Sequence, residues 1–238
     1  MFYFNSIDRG INESLSVFIR IFKKNIDHLN ENYTWQVSLD HLPIQLNLIA
    51  QNVYQQNIEL RHKLHQAYLA TTIFDEKYKI IEWYIYHWGG VKANSKDTLR
   101  KYTETSPEQL IIKGSKGIAS WSKALTVIDP ARYAIYDARV AMSLNALQII
   151  DSIDDAKYFP PLKGRNTLIN FFQIKIQPTL SQWDKFDDQE FYSYYLDMLN
   201  IVAHELGGKT THHDIEMLLF SHAEELSFLA AAHVAMND

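Results

Sequence analysis

The chain contains no cysteine. That excludes disulfides, thiolate metal sites and cysteine-ligated iron–sulfur clusters. Glycine and proline are also scarce, eight and six in 238 residues, so little of the length is set aside for turns. No apolar run reaches the roughly 18 residues that a membrane-spanning helix needs. The opening Met-Phe-Tyr-Phe-Asn-Ser-Ile-Asp-Arg has no basic stretch leading into an apolar one, so no secretory leader and a cytoplasmic location are expected.

Periodic apolar segments fill most of the chain instead. At 47% hydrophobic and 13% aromatic content it can bury a full core, and its class is expected to be all-α, one globular unit over 1–238. Residues 11–30 place Ile11, Leu15, Phe18, Ile19 and Phe22 at helical spacing, and 41–70 continue with Leu46, Ile49, Val53, Leu60, Leu64 and Tyr68. A third helix, Tyr78 to Trp88, is strongly aromatic and ends at Gly89-Gly90. Helices are also predicted over 188–204 and 213–235. The net charge of −5 is unevenly spread: residues 92–139 carry nine basic and five acidic side chains, whereas 140–238 carry six and fourteen. A local basic excess suits a short phosphate footprint.

That basic segment holds the densest arrangement in the sequence. Leu110, Ile111 and Ile112 close an apolar helix, and Lys113-Gly114-Ser115-Lys116-Gly117 supplies two glycines that tolerate positive φ and let a ligand approach the backbone. Helix resumes at once, with Ile118, Trp121, Ala124, Leu125 and Ile128 on one face. A helix start presents unpaired N–H groups and partial positive charge, which suits a phosphate, and Lys113 and Lys116 flank it. The local pattern equally fits an ordinary turn. Farther on, Asp137 follows the apolar Tyr133-Ala134-Ile135-Tyr136 and opens a helix bearing Val140, Ala141, Leu144 and Leu147. It is a natural N-cap. A carboxylate embedded between aromatics and an apolar helix is also costly, which points to a task beyond capping.

Hairpin plus downstream aspartate resembles the helix-hairpin-helix superfamily of DNA base-excision glycosylases, in particular its bacterial 8-oxoguanine-glycosylase-like branch. Gly117-Ile118-Ala119 stands at that family's Gly-hydrophobic-Gly, Ser120-Trp121-Ser122 follows, and Asp137 falls where the family keeps its catalytic aspartate. The likeness spans roughly residues 80–205, with the hairpin at 110–125. It implies a two-lobed helical bundle, double-stranded DNA carrying a damaged or modified base as partner, no cofactor, and action at the nucleoid in DNA repair. Lys113, Gly114, Lys116, Gly117, Ala119, Ser120 and Lys123 would then hold the DNA backbone. Trp83, His87, Trp88, Trp121, Tyr136 and Arg139 are candidates for the pocket of an extruded base, although core packing explains aromatics of this kind as well. Strand-cleaving members use a hairpin lysine as nucleophile; Trp121 occupies that position, so base release without strand cleavage is expected.

Two other readings fit the sequence. One is a catalytically silent helix-hairpin-helix DNA-binding protein. The other is a helical metal-dependent hydrolase or regulator built on His204-Glu205, His212-His213-Asp214, Glu216 and His222, which offer nitrogen and carboxylate ligands but no His-x-x-x-His pair. Asp214 beside His213 reads better as capping, so no metal is expected. Glu216 and the Arg165-Asn166 pair are further polar residues beside apolar stretches.

Overall fold

The computed structural model describes residues 9–237, so the leader reading of residues 1–8 lies outside it, as does the side chain of Ile11. In chain order the helices are α1 (Arg9–Asn25), α2 (Leu29–Asn32), α3 (Val53–Ala70), α4 (Phe74–Trp83), α5 (Lys96–Glu104), α6 (Pro107–Ile111), α7 (Ile118–Ile128), α8 (Ala138–Ile150), α9 (Thr167–Leu180), α10 (Phe191–Leu206), α11 (His212–Ser221) and α12 (Ala223–Asn237). The only strands among the described residues, β1 (Lys157–Tyr158) and β2 (Asp184–Lys185), form a short parallel ladder. The all-α class holds. No described helix is long and apolar enough to cross a membrane.

The chain divides into two compact units. The first takes in the chain up to Leu29, Asp137–Asp187 and the residues from Asp197 onward; the second takes in Asn30–Tyr136 and Asp188–Leu196.

In the first unit α8 is the central helix, packed by α12, α11, α9 and α1. Every residue from Val140 to Ile149 is buried, including the polar Ser143, Asn145 and Gln148. Buried polar groups need partners. The Ser143 hydroxyl donates to the Leu219 carbonyl at 2.6 Å. The Asn145 amide brackets Phe159, donating to its carbonyl (2.8 Å) and accepting its N–H (3.0 Å). Gln148, one turn on, does the same with Lys157 (2.9 and 2.8 Å). These pairings fix the segment 157–159 along α8, and with it the β1 ladder.

In the second unit α7 is enclosed by α3, α4, α5 and a five-residue π-helical turn, Tyr84–Trp88, that continues α4. Such turns widen the helix by one residue and are concentrated at functional positions. Here the wider turn stacks Tyr84 on Trp88, ring centroids 4.3 Å apart and 11° from parallel.

Three predicted helices differ in extent. The segment 41–52 is not helical: Pro43 restricts the backbone before it, the Glu59 carboxylate accepts the N–H groups of Ile49 and Ala50 at 2.9 Å each, and Asn52 caps α3 by accepting from Gln55. Leu46 is therefore only half-buried and Ile49 is 84% exposed. The aromatic helix leaves α-helical geometry at Tyr84. The last predicted helix breaks at His222, which ends α11 with φ −89° and ψ 2°.

Candidate functional site

The Gly-rich bend joins α6 to α7. Ser106 caps α6 and Pro107 supplies its preset first residue. After α6 the N–H groups of Lys113 and Gly114 bond back to Leu110 and Ile111, and the chain turns through Gly114 (φ 60°) and Gly117 (φ 75°). Both angles lie where L-residues with side chains are strained. Gly117 is the N-cap of α7 and has no side chain to cap it, whereas Asn52, Ser95, Ser106, Asp137 and Asn166 each supply an oxygen to their helix starts. A side chain at Gly117 would also meet the Tyr102 hydroxyl, its Cβ 2.6 Å away. Lys113 and Lys116 are exposed, the former with Nζ 5.9 Å from the Tyr102 ring centroid. Ala119 is half-buried, and Ser120 is buried with its hydroxyl accepting from Asn94 at 2.8 Å.

Lys123 is not at the surface: it is 3% exposed. Its Nζ donates to the Ala119 carbonyl one turn back, 2.7 Å away, and its stem lies over Gly89, where an added Cβ would sit 2.7 Å from the lysine Cε. The cause is the enclosure of α7, whose residues from Ser120 to Val127 are all buried, leaving no wet face to which a lysine could turn.

Asp137 is the N-cap of α8. Its Oδ1 accepts both the Arg139 N–H (2.9 Å) and the Val140 N–H (3.1 Å), so both capping bonds end on one oxygen and Oδ2 takes part in neither. The residue is half-exposed. The preceding Tyr133–Tyr136 is buried, and side chains hold it at successive peptide groups. Tyr192 donates to the Ala134 carbonyl at 2.7 Å, Tyr195 donates to Ile135 at 2.8 Å, and the Ser122 hydroxyl accepts the Tyr136 N–H at 3.1 Å. Sequence reading missed Tyr192 and Tyr195. Their signal was tyrosines three apart on an apolar helix, since a buried hydroxyl must find an acceptor.

Around the start of α8 the first unit gathers more polar groups. Arg139 Nη2 donates to Glu224 Oε1 at 2.7 Å, and the Asn166 amide donates to the same oxygen at 2.6 Å. Arg139 also lies over the Phe220 ring, 4.9 Å from its centroid. Asn166 meanwhile caps α9, and Gly164 abuts Ala138 so closely that a Cβ on it would stand 2.9 Å from the alanine methyl. Glu224 thus ties the first turns of α8, α9 and α12 together. The Arg139 guanidinium, and then Asn166, hold its carboxyl below the usual glutamate range. Asn166 was flagged in the sequence and Glu224 was not. Arg165 is exposed.

The aromatic candidates are mostly core. Trp83 is buried with its indole N–H on the Asp40 carbonyl (2.7 Å), and Trp88 bonds Asn57 (2.9 Å). Trp121 bonds the Lys116 carbonyl (3.2 Å) and meets Tyr192 edge-on; Tyr136 meets Phe191 and Tyr195 the same way. His87 is exposed, its ring 5.0 Å from that of His41.

The residues of 204–222 do not gather at one place: His204 and Glu205 lie exposed near the end of α10, His222 ends α11, and the rest serve the start of α11. Thr211 and Asp214 form a capping box, and His213 Nδ1 lies 3.7 Å from Glu216 Oε2, both side chains buried. Among the described residues no three His, Asp or Glu side chains converge so as to hold a metal ion. No protein-family profile matches the chain, and no curated protein or solved structure is detectably similar to it.

Proposed function

We propose that this chain is a monofunctional DNA glycosylase that releases a damaged or modified base from double-stranded DNA in the cytoplasm, at the nucleoid. The observation that carries the reading is the contrast between two helix starts: α7 begins on a bare glycine flanked by exposed lysines, and α8 begins on a carboxylate that spends only one oxygen on its cap. The first suits an external phosphate and the second suits a developing cation.

In this reading the backbone N–H groups at the bend, with Lys113 and Lys116, hold the DNA backbone without reading sequence. The helix-hairpin-helix likeness supplies the comparison with two-lobed relatives. The target nucleotide leaves the stack at a cost of a few kcal/mol. As its N-glycosidic bond lengthens, positive charge grows on the sugar, and Asp137 Oδ2 stabilises it and takes a proton from the attacking water. The bond from C1′ to the base nitrogen breaks, water oxygen bonds C1′, and the proton that Asp137 took passes on to the departing base nitrogen, which returns the carboxylate to its ionised form. No side-chain amine takes part, because Trp121 stands at the nucleophile position of strand-cleaving enzymes.

Duplexes bearing oxidised, alkylated and modified bases, incubated with the protein and then treated with hot alkali, test this directly. Alkali-dependent breaks at one class of base are expected, with no protein–DNA crosslink when borohydride is present during turnover. Absence of release across the panel overturns the enzyme; a crosslinked band overturns its monofunctional mechanism. Release that persists in Asp137→Asn removes Asp137 from the chemistry, and duplex binding without any release leaves the silent binding protein.

A further inference from the structure

The bend that would meet DNA already holds an anion, and it belongs to the protein. The Ser115 N–H donates to Asp188 Oδ1 at 3.0 Å, across 73 residues of sequence. Asp188 presses on the neighbouring glycine so closely that a Cβ on Gly114 would stand 2.0 Å from Oδ2 and 2.4 Å from the Asp188 carbonyl oxygen. Both residues belong to the same compact unit. Asp188 is exposed, and so are Lys113 and Lys116 on either side of the bond it occupies. The segment that carries it reads Asp-Asp-Gln-Glu over 187–190, without a compensating base.

An exposed carboxylate gains little from an ion pair in water, so stability alone gives weak reason to keep an acidic side chain against a lysine-flanked turn. A carboxylate and a phosphodiester oxygen ask the same thing of a backbone N–H, a linear donor and nearby positive charge. We propose that Asp188 is an internal competitor for the phosphate-binding bend: it occupies the Ser115 N–H, cancels part of the lysine charge, and lowers affinity for undamaged duplex. The inference rests on the DNA reading above for its ligand and on the Asp188–Ser115 contact for its device. Its consequence is discrimination. A site whose backbone grip is partly self-satisfied holds ordinary duplex briefly, and dwells only where a base that leaves the stack easily adds its own binding energy.

The test is fluorescence-anisotropy titration of an undamaged duplex at several salt concentrations, using the full chain and Asp188→Ala, Asp188→Asn and Glu190→Gln. Removing the competitor is expected to tighten binding by roughly three-fold or more at low salt, and to steepen the dependence of affinity on salt by up to about one counterion. Asp188→Asn keeps an acceptor for Ser115 and loses the charge, so it should fall between wild type and Asp188→Ala. Glu190→Gln removes an equal charge outside the Ser115 bond and should do less than either. Weaker binding by Asp188→Ala with Asp188→Asn unchanged would show a brace that shapes the turn, and would overturn the proposal; equal gains from Glu190→Gln would reduce it to bulk charge and overturn it too. Should no variant bind duplex, the DNA reading falls by itself, and the device is then read from the Ser115 amide resonance. Inorganic phosphate should shift that resonance at lower concentration in Asp188→Ala than in wild type, and equal responses would dispose of the competitor.

Discussion

The starts of α7 and α8 solve the same problem in opposite ways. Each leaves backbone N–H groups that the helix cannot satisfy internally. At α8 the chain supplies its own anion, and Asp137 Oδ1 takes two of those groups. At α7 it supplies a glycine in the left-handed region with no capping oxygen; the Ile118 and Ser120 N–H groups turn back to the Ser115 and Gly117 carbonyls, and Asp188 takes the Ser115 N–H just ahead of the helix. One start is satisfied by its own carboxylate, which is what a group held ready for a reacting centre requires; the other has no cap of its own and borrows an exposed anion from elsewhere in the chain, which is what a group meant to exchange anions requires. The difference teaches that position in a helix says less about role than who provides the counter-charge.

The sharpest way to break that comparison is to remove the charge at the satisfied end. Asp137→Asn keeps an acceptor for the cap and should lower base release at least about 100-fold, the scale of a positioned acid–base group. Duplex affinity should hold or rise, since a carboxylate near phosphates is lost. Single-turnover release and anisotropy on one preparation separate the two effects.

The uncapped end gives the next largest effect. Gly117→Val forces a β-branched side chain into φ 75° and against the Tyr102 hydroxyl, at a cost of about 1–3 kcal/mol. Its melting temperature should drop, and duplex binding by the folded fraction should weaken for every sequence alike. Unchanged binding at a temperature well below melting would mark the bend as a plain turn.

The smallest effect concerns what steadies the satisfied end. Glu224 is lowered in the folded state, so its contribution is present above the ordinary glutamate value and fades as pH falls through the folded one. Glu224→Gln should therefore melt below wild type near neutral pH, and the gap should close under acid conditions. Because the Glu224 side chain is 45% exposed, the gap stays below about 1 kcal/mol. A gap that persists unchanged into acid would mean that the shared hydrogen bonds, and not charge, join α8 to α12.

Much of this was legible in sequence because it is local. Asp137 as a cap needs only an apolar lead-in and a periodic helix after it, and the Gly114 and Gly117 bend needs only two glycines between helical segments. What escaped was non-local or a competition between local signals. Asn145 and Gln148 look like polar interruptions of an apolar helix until Phe159 and Lys157 come back to meet them. Lys123 reads as a surface charge because nothing in the period of α7 announces that both its faces are covered. Leu46 and Ile49 keep helical spacing with Val53, yet the Glu59 carboxylate takes the Ile49 and Ala50 N–H groups in a non-helical segment and Asn52 starts the helix late. Glu224 lies 85 residues from Arg139, and no single stretch of sequence links them.

The π-helical turn at Tyr84–Trp88 has a consequence for descent. A helix that widens there contains one residue more than its length requires. One residue of excess in a single wide turn is what a single-residue insertion into a regular helix produces, and the Tyr84–Trp88 stack spans that turn. Relatives of this chain should align through α4 with a single-residue gap at this position, and those that lack the residue should also lack the stacked pair.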